Sequence, residues 1–257
     1  MTASVPACLI TGSASGIGAA TAREFARQGW HVAISHFGAA MRTEAEAVAA
    51  DCRAAGADVL LQPLDVRSDA ECRRHAAAAH ERFGRLDALV NCAGTTRFIA
   101  HGDLDALDAA EWQRTYEVNV IGTHQMVRAC APALRAAGGA VVNISSIAGL
   151  LGRGSSVAYA ASKGAVNTMT LALARALAPA IRVNAIAPGF VDGGLPSRVL
   201  DADAHRAAVA AQTAASVLQR VSQPPEVAAL AYFLAARAPG MTGQVLVLDN
   251  GLCLNAG

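Results

Sequence analysis

Hydrophobic positions along the chain gather into short apolar runs, separated by longer segments in which apolar residues recur at helical spacing. The first run, residues 7–10, breaks into Thr11-Gly12-Ser13-Ala14-Ser15-Gly16-Ile17-Gly18, and a helical pattern follows over 17–28. Further strand-like runs lie at 31–35, 59–64, 86–91, 140–145, 181–186 and 244–248, with helical periodicity between them. Alternating strands and helices predict a parallel sheet covered by helices on both faces and joined by right-handed crossovers. The expected class is α/β, a doubly wound parallel sheet of about seven strands, as one domain over residues 1–257 without a linker or internal repeat.

Two stretches carry chemistry on this frame. In the first, strand, glycine turn and helix follow in immediate succession. Gly12 allows the tight turn, Gly16 lets backbone approach a pyrophosphate, and Gly18 permits close packing of helix on strand. An anion would then sit at the helix N-terminus, on free N–H groups and the positive end of the helix dipole. In the second stretch, residues 143–163, Tyr159 and Lys163 are four apart in an Ala-rich run, so a helix stacks them on one face. The expectation is that the ammonium brings the phenol closer to a useful acid or base. Ser146, after the apolar run 140–144, is placed to polarise a carbonyl.

Composition sets the bounds. With 257 residues, 53% hydrophobic and 16% charged, the chain suits one large core. A net charge of +1 gives no electrostatic case for nucleic acid or an anionic membrane surface. No apolar run approaches the length of a membrane span and no leader pattern opens the chain, so a cytoplasmic location is expected. Six cysteines and seven histidines show no metal-ligand spacing, and no catalytic metal is expected.

Taken together, the motifs resemble those of the short-chain dehydrogenase/reductase family over nearly the whole chain. Residues 11–18 match its T-G-x-x-x-G-x-G turn, and Asn91-Cys92-Ala93-Gly94 resembles its N-N-A-G. Asn119 lies in E-V-N-V-x-G, Ser146, Tyr159 and Lys163 fall at the family's spacing, and Pro188-Gly189 matches its P-G. The resemblance implies a Rossmann-like fold and an oxidoreductase that moves a hydride between nicotinamide and a carbonyl or secondary alcohol. It makes Tyr159 the general acid/base, Lys163 the residue that lowers its pKa and bonds the nicotinamide ribose, and Ser146 the holder of the substrate oxygen. Asn119 would position a water linking Lys163 to solvent. It also implies cofactor contacts at Gly12, Ser15, Gly16, Ile17, Gly18, Asn91, Ala93, Gly94, Pro188 and Gly189. Asp65, with Val66, would meet the adenine, and Val191 the carboxamide. Ser145 is one residue too early to serve as the serine.

Three departures matter. Cys92 replaces an Asn, Gly193 stands where many members have Thr, and the second strand ends in Ser35-His36-Phe37 without the acidic residue that bonds a ribose 2'-OH in NAD enzymes. Ser35, His36 and Arg42 are therefore candidates for a 2'-phosphate, making NADP the expected cofactor, with NAD as the alternative. Against NADP, Ser15 occupies a turn position where many NADP-preferring relatives carry Arg or Lys. The segment 190–225 has the place of the family's mobile substrate lid. Arg97, Arg153 and, within that segment, Arg198 are candidates for meeting an anionic substrate.

The resemblance is nearest to the 3-oxoacyl-[acyl-carrier-protein] reductase and glucose dehydrogenase branch. A ketone or 3-oxoacyl reductase is the first expectation, and an aldose or other alcohol dehydrogenase using NAD the second. A non-catalytic dinucleotide-sensing scaffold is the alternative from another class. A carrier protein is not favoured, because Ala136-Ala137 and Ala178-Pro179-Ala180 stand where such reductases place basic residues. Helices over 109–137 and 158–178 are expected to form a homotetramer.

Overall fold

The computed structural model describes residues 4–255. Seven strands form one sheet: β1 (Ala7–Ile10), β2 (His31–His36), β3 (Val59–Pro63), β4 (Ala88–Asn91), β5 (Ala140–Ile144), β6 (Arg182–Pro188) and β7 (Val245–Leu248). All neighbours are parallel, in the order β3-β2-β1-β4-β5-β6-β7. This is the doubly wound, Rossmann-like architecture that the alternation implied. The chain reverses its direction of winding between β1 and β4, and a crevice opens there beyond the strand C-termini. Strand ends differ from the apolar runs by one or two residues, since hydrogen bonding rather than hydropathy decides where a ladder stops.

The strands read as continuous apolar runs because both faces are covered. In β1, Cys8 and Ile10 point into one core with Phe25, Ile34 and Leu234, while Leu9 points into the other with Leu89, Met126 and Val183. The first core carries an edge-to-face aromatic triangle in which Phe25 lies 5.1 Å from Trp30 and 5.3 Å from Tyr232, centroid to centroid.

The helices are α1 (Gly16–Arg27), α2 (Arg42–Ala54), α3 (Asp69–Phe83), α4 (Ala109–Tyr116), α5 (Thr123–Ala137), α6 (Ala148–Leu151), α7 (Val157–Leu177), α8 (Leu195–Val199), α9 (Ala202–Ala215) and α10 (Pro224–Tyr232). The helix expected over 109–137 is interrupted. A π-helical segment, Glu117–Gly122, joins α4 to α5 and carries Asn119. Gly122 explains part of the local geometry: a Cβ there would lie 2.6 Å from the Val66 side chain, so the wider turn is laid against the loop after β3. No helix of the described residues is long and apolar enough to cross a membrane. Among the described residues, no cluster of three His, Cys, Asp or Glu side chains could hold a metal ion.

Candidate active site

The glycine turn after β1 and the turn after β4 are tied together across the crevice. Thr11 Oγ1 accepts hydrogen bonds from the amides of Cys92 and Ala93, both at 3.0 Å. Gly12, at φ +63°, lies so close to this second turn that a Cβ would sit 2.9 Å from Ala93 Cα. A Cβ on Gly18 would collide with the Gly12 carbonyl oxygen, so both positions require glycine for close approach. Ser15 is the N-cap of α1 but its side chain caps nothing, which leaves first-turn amides turned toward the crevice.

The crevice holds a cavity of about 520 Å³. Arg153, Lys163 and Arg198 lie in its wall, and no Asp or Glu does. Bare backbone, an uncapped helix N-terminus and cations without carboxylates are a donor set suited to a polyanionic dinucleotide. The residues present thus fit such a cofactor.

At the far wall, α7 starts at Ser156, whose hydroxyl accepts from the Tyr159 amide at 3.2 Å. This cap fixes the helix start and hence the depth of Tyr159 and Lys163, one turn apart. Lys163 is 5% exposed; its Nζ donates to the Ile144 carbonyl at 2.8 Å and lies 5.6 Å from the Tyr159 ring centroid. Ser146 follows the end of β5, where its hydroxyl accepts from the Ala148 amide at 3.1 Å, and lines the cavity with Tyr159. Ser145 points the other way and is pinned to Lys163 O at 3.2 Å and Asn167 Oδ1 at 2.5 Å.

The electrostatic expectation for this pair needs correction. Burial pushes the Tyr159 phenol up to about 12, opposed by the neighbouring Ser146 hydroxyl. Burial also brings Lys163 down to about 8. Desolvation disfavours phenolate and ammonium alike, and it is the largest cause of both shifts. At neutral pH the phenol keeps its proton.

Asn119, 1% exposed, spends its side chain inside the protein. Oδ1 accepts from the Thr95 amide at 2.8 Å, and Nδ2 donates to Thr95 O and Ser162 Oγ, both at 3.0 Å. It borders the site through Gly94, where a Cβ would lie 3.5 Å from Asn119 Oδ1 and 3.8 Å from Lys163 Nζ.

The expected cofactor residues divide into two groups. Gly12, Ser15, Gly16, Ile17, Ala93, Gly94, Pro188, Gly189 and Val191 line the cavity; Gly18, Ser35, His36, Asp65, Val66 and Asn91 do not. Ser35, 2% exposed, turns its hydroxyl inward to the Ile10 carbonyl at 3.3 Å. His36 is buried, with Nδ1 2.8 Å from the Gly38 carbonyl, and Arg42 Nε pairs with Glu46 on its own helix. The Ser35 hydroxyl and His36 Nδ1 are thus bonded to backbone, while the Arg42 pair with Glu46 lies at the surface. Asp65 is engaged bidentately by Arg67, which holds its carboxyl below the usual range. Val66 packs on Gly122 and its carbonyl accepts from Gln125. Asn91 Nδ2 donates to Asn143 at 3.0 Å, while its Oδ1 is buried without a partner.

Sequence reasoning missed three features. Gly149 packs against the backbone of α7 at Lys163 and Gly164, where a Cβ would collide; glycines at both 149 and 164 were the available signal. Cys92 ties the two turns through its amide, which donates to Thr11 Oγ1, while its side chain packs against the core. The π-helical turn at Asn119 left no periodicity signal.

Comparison with known proteins adds the following. A family model described as enoyl-(acyl carrier protein) reductase matches residues 12–253. The chain is 41% identical over 247 residues to a Streptomyces violaceoruber protein provisionally named granaticin polyketide synthase ketoacyl reductase 2, covering 96% of this chain and 95% of that one. It is 36% identical over 251 residues to trans-4-hydroxycyclohexanecarboxylate dehydrogenase of Sinomonas cyclohexanicum, covering 95% and 91%. A solved structure from Burkholderia xenovorans, provisionally described as a short-chain dehydrogenase/reductase, superposes with a TM-score of 0.92 at 52% identity, covering 98% of this chain and 100% of that one.

Proposed function

The chain belongs to the short-chain dehydrogenase/reductase family, and from that premise we propose that it is an NADPH-dependent reductase of ketones or 3-oxoacyl groups. As a family member it is an NAD(P)-dependent oxidoreductase acting on a ketone or secondary alcohol. The preference for reduction and for NADP(H) is our reading. The observation that carries it is a protonated phenol at the inner end of a cavity walled by cations. With its pKa raised to about 12 by burial, the phenol is protonated at neutral pH and can give its proton to a carbonyl oxygen.

Bound nicotinamide would supply the hydride. On the protein side, Ser146 donates to the substrate oxygen and holds it against the Tyr159 hydroxyl, which delivers the proton as charge develops there. Lys163, held at the bottom of the site by Ile144 O, faces the phenol and stabilises the phenolate left behind. Asn119 acts by position: its amide clamps Thr95 and Ser162 on either side of the π-helical turn and so sets the backbone around Gly94. In the glycine turn, first-turn amides bind the phosphates.

We read the whole chain as one dinucleotide-binding unit with a substrate lid over 190–225. We also read it as a homotetramer: Leu171 is 40% and Ile121 49% exposed, an apolar surface on the helices expected to associate. Light scattering that finds a monomer removes the tetramer.

The test is oxidation of NADPH and NADH in the presence of cyclic ketones, keto acids and 3-oxoacyl thioesters, and reduction of NADP and NAD in the presence of secondary alcohols and aldoses, with binding of each dinucleotide followed by fluorescence. Turnover with NADPH supports the reading. Turnover confined to NAD and secondary alcohols replaces it with the dehydrogenase alternative, and tight binding without turnover on any substrate replaces it with the scaffold.

A further inference from the structure

Arg198 stands on α8, in the segment 190–225, yet it reaches back across the chain to the glycine turn. One Nη donates to Ser15 Oγ at 3.2 Å and the other lies 2.9 Å from Met41 Sδ. Ser15 follows β1, and Met41 ends the short 3₁₀ turn Ala39–Met41 that follows β2. β1 and β2 are paired neighbours, so the guanidinium bridges the loops beyond their adjacent C-terminal ends. In a doubly wound dinucleotide site this is where the adenosine ribose is read, by an acidic residue for a 2'-hydroxyl or by an arginine for a 2'-phosphate. Of the local residues, the Ser35 hydroxyl and His36 Nδ1 are bonded to backbone, Arg42 is paired with Glu46 at the surface, and Ser15 is uncharged.

The geometry suits an anion. Both contacts of Arg198 are neutral, so its charge has no carboxylate here, and both Ser15 and Arg198 line the cavity. A planar guanidinium binds phosphate through paired donors, and the Ser15 hydroxyl beside it, which caps nothing, adds another. The backbone leading to α8 is already seated: a Cβ on Gly16 would lie 2.5 Å from Gly194 Cα, and Gly193 and Gly194 take φ +98° and +73°. Beyond this hinge α8 buries no residue, so little besides Arg198 holds it in place.

We propose that Arg198 is the residue that reads the 2'-phosphate of NADP(H), and that this same contact clasps the lid onto the glycine turn. The proposal rests on the NADP(H) reading above and adds to it the residue that confers the preference and a consequence: the dinucleotide with the 2'-phosphate closes the lid, and the one without it does not.

The experiment compares wild type, Arg198→Gln and Arg198→Lys by fluorescence titration with NADPH and NADH, and by trypsin cleavage at Arg206 in α9 with each dinucleotide bound. Wild type is expected to prefer NADPH and to be protected at Arg206 more by NADPH than by NADH. In Arg198→Gln, NADPH binding should weaken by about ten- to a hundredfold, the loss of a charge-assisted pair, with NADH within about twofold, and the two dinucleotides should protect alike. Arg198→Lys should keep part of the preference. An NADPH preference in wild type that survives in Arg198→Gln overturns the proposal and leaves the cofactor reading standing. Equal weakening of both dinucleotides also overturns it, because the contact would then be to a group they share. A wild type that prefers NADH overturns the cofactor reading itself, and the proposal with it.

Discussion

α7 and α9 are both Ala-rich helices, both capped by a side chain at the N-terminus, and both contribute to the same cavity, yet they are held in opposite ways. α7 buries eight residues, Lys163 among them, and Ser156 caps it. α9 buries none, and its cap, Asp201, accepts from the Ala204 amide at the surface. On the proposed reading, the difference separates two tasks. Groups that move a proton have to be held to a fraction of an ångström, so they sit on a helix locked into the sheet. A wall that admits and releases substrate needs a low cost of opening, and a helix without buried residues supplies it.

The most severe way to break the rigid side is chemical. Tyr159→Phe removes the proton donor and leaves the helix intact, so turnover should fall by about 10²–10⁴-fold, while dinucleotide binding by fluorescence changes little. Unchanged turnover would remove Tyr159 from its role. A steric route reaches the same residues indirectly. Gly149→Ala places a methyl group against the α7 backbone at Lys163 and Gly164, two peptide groups that cannot rotate away. Denaturant unfolding should show a loss of about 1–3 kcal/mol, with kcat reduced more than KM is raised. A variant of full stability and activity would mean that α6 yields where the packing says it cannot.

How much of this contrast was legible beforehand depends on the physical scale of each feature. The sheet, the glycine turn and the Ser146, Tyr159 and Lys163 set left strong marks, because alternating burial, close backbone approach and a four-residue helical spacing each restrict residue type locally. The order β3-β2-β1-β4-β5-β6-β7 was not legible, because alternation and right-handed crossovers fit other doubly wound orders as well. Non-local effects were not legible. Nothing in the spacing of Tyr159 and Lys163 says that desolvation is the largest cause of both shifts, since that depends on how much protein surrounds them. Ser35 and His36 read as free donors only while the carbonyls of Ile10 and Gly38 are unseen. Ser15 looked like an argument against NADP(H) until Arg198, 183 positions away, was found beside it.

That desolvation gives the rigid side a cost that a stability measurement can read. Lys163 is a base whose pKa falls from 10.5 to about 8 on folding, a difference of about 3 kcal/mol between its protonation states. From pH 8 to 10.5 the unfolded chain holds the proton more tightly, so stability rises with pH across that window, and below pH 8 the full cost of the buried charge is present. Lys163→Met removes the charge and also the hydrogen bond to Ile144 O. It should abolish turnover and yet raise unfolding stability by about 1–2 kcal/mol at pH 7, with the gain shrinking toward pH 10.5. A variant less stable than wild type at pH 7 would show that the Ile144 contact outweighs the desolvation of the ammonium.

The smallest effect gives the cleanest comparison, because the same lesion is made on both helices. Ser156→Ala removes the hydrogen bond to the Tyr159 amide, and Asp201→Ala the one to the Ala204 amide; an N-cap is worth about 1 kcal/mol in either place. On α7 that loss falls on an element whose opening exposes the core, so it should appear in the global unfolding free energy and lower kcat by shifting Tyr159. On α9 it falls on an element that opens by itself, so the global midpoint should stay where it is while hydrogen exchange over 202–215 accelerates about fivefold and KM changes more than kcat. Equal shifts in the global midpoint would mean that the two helices unfold as one unit, and the division between a fixed catalytic wall and a yielding substrate wall would have to be abandoned.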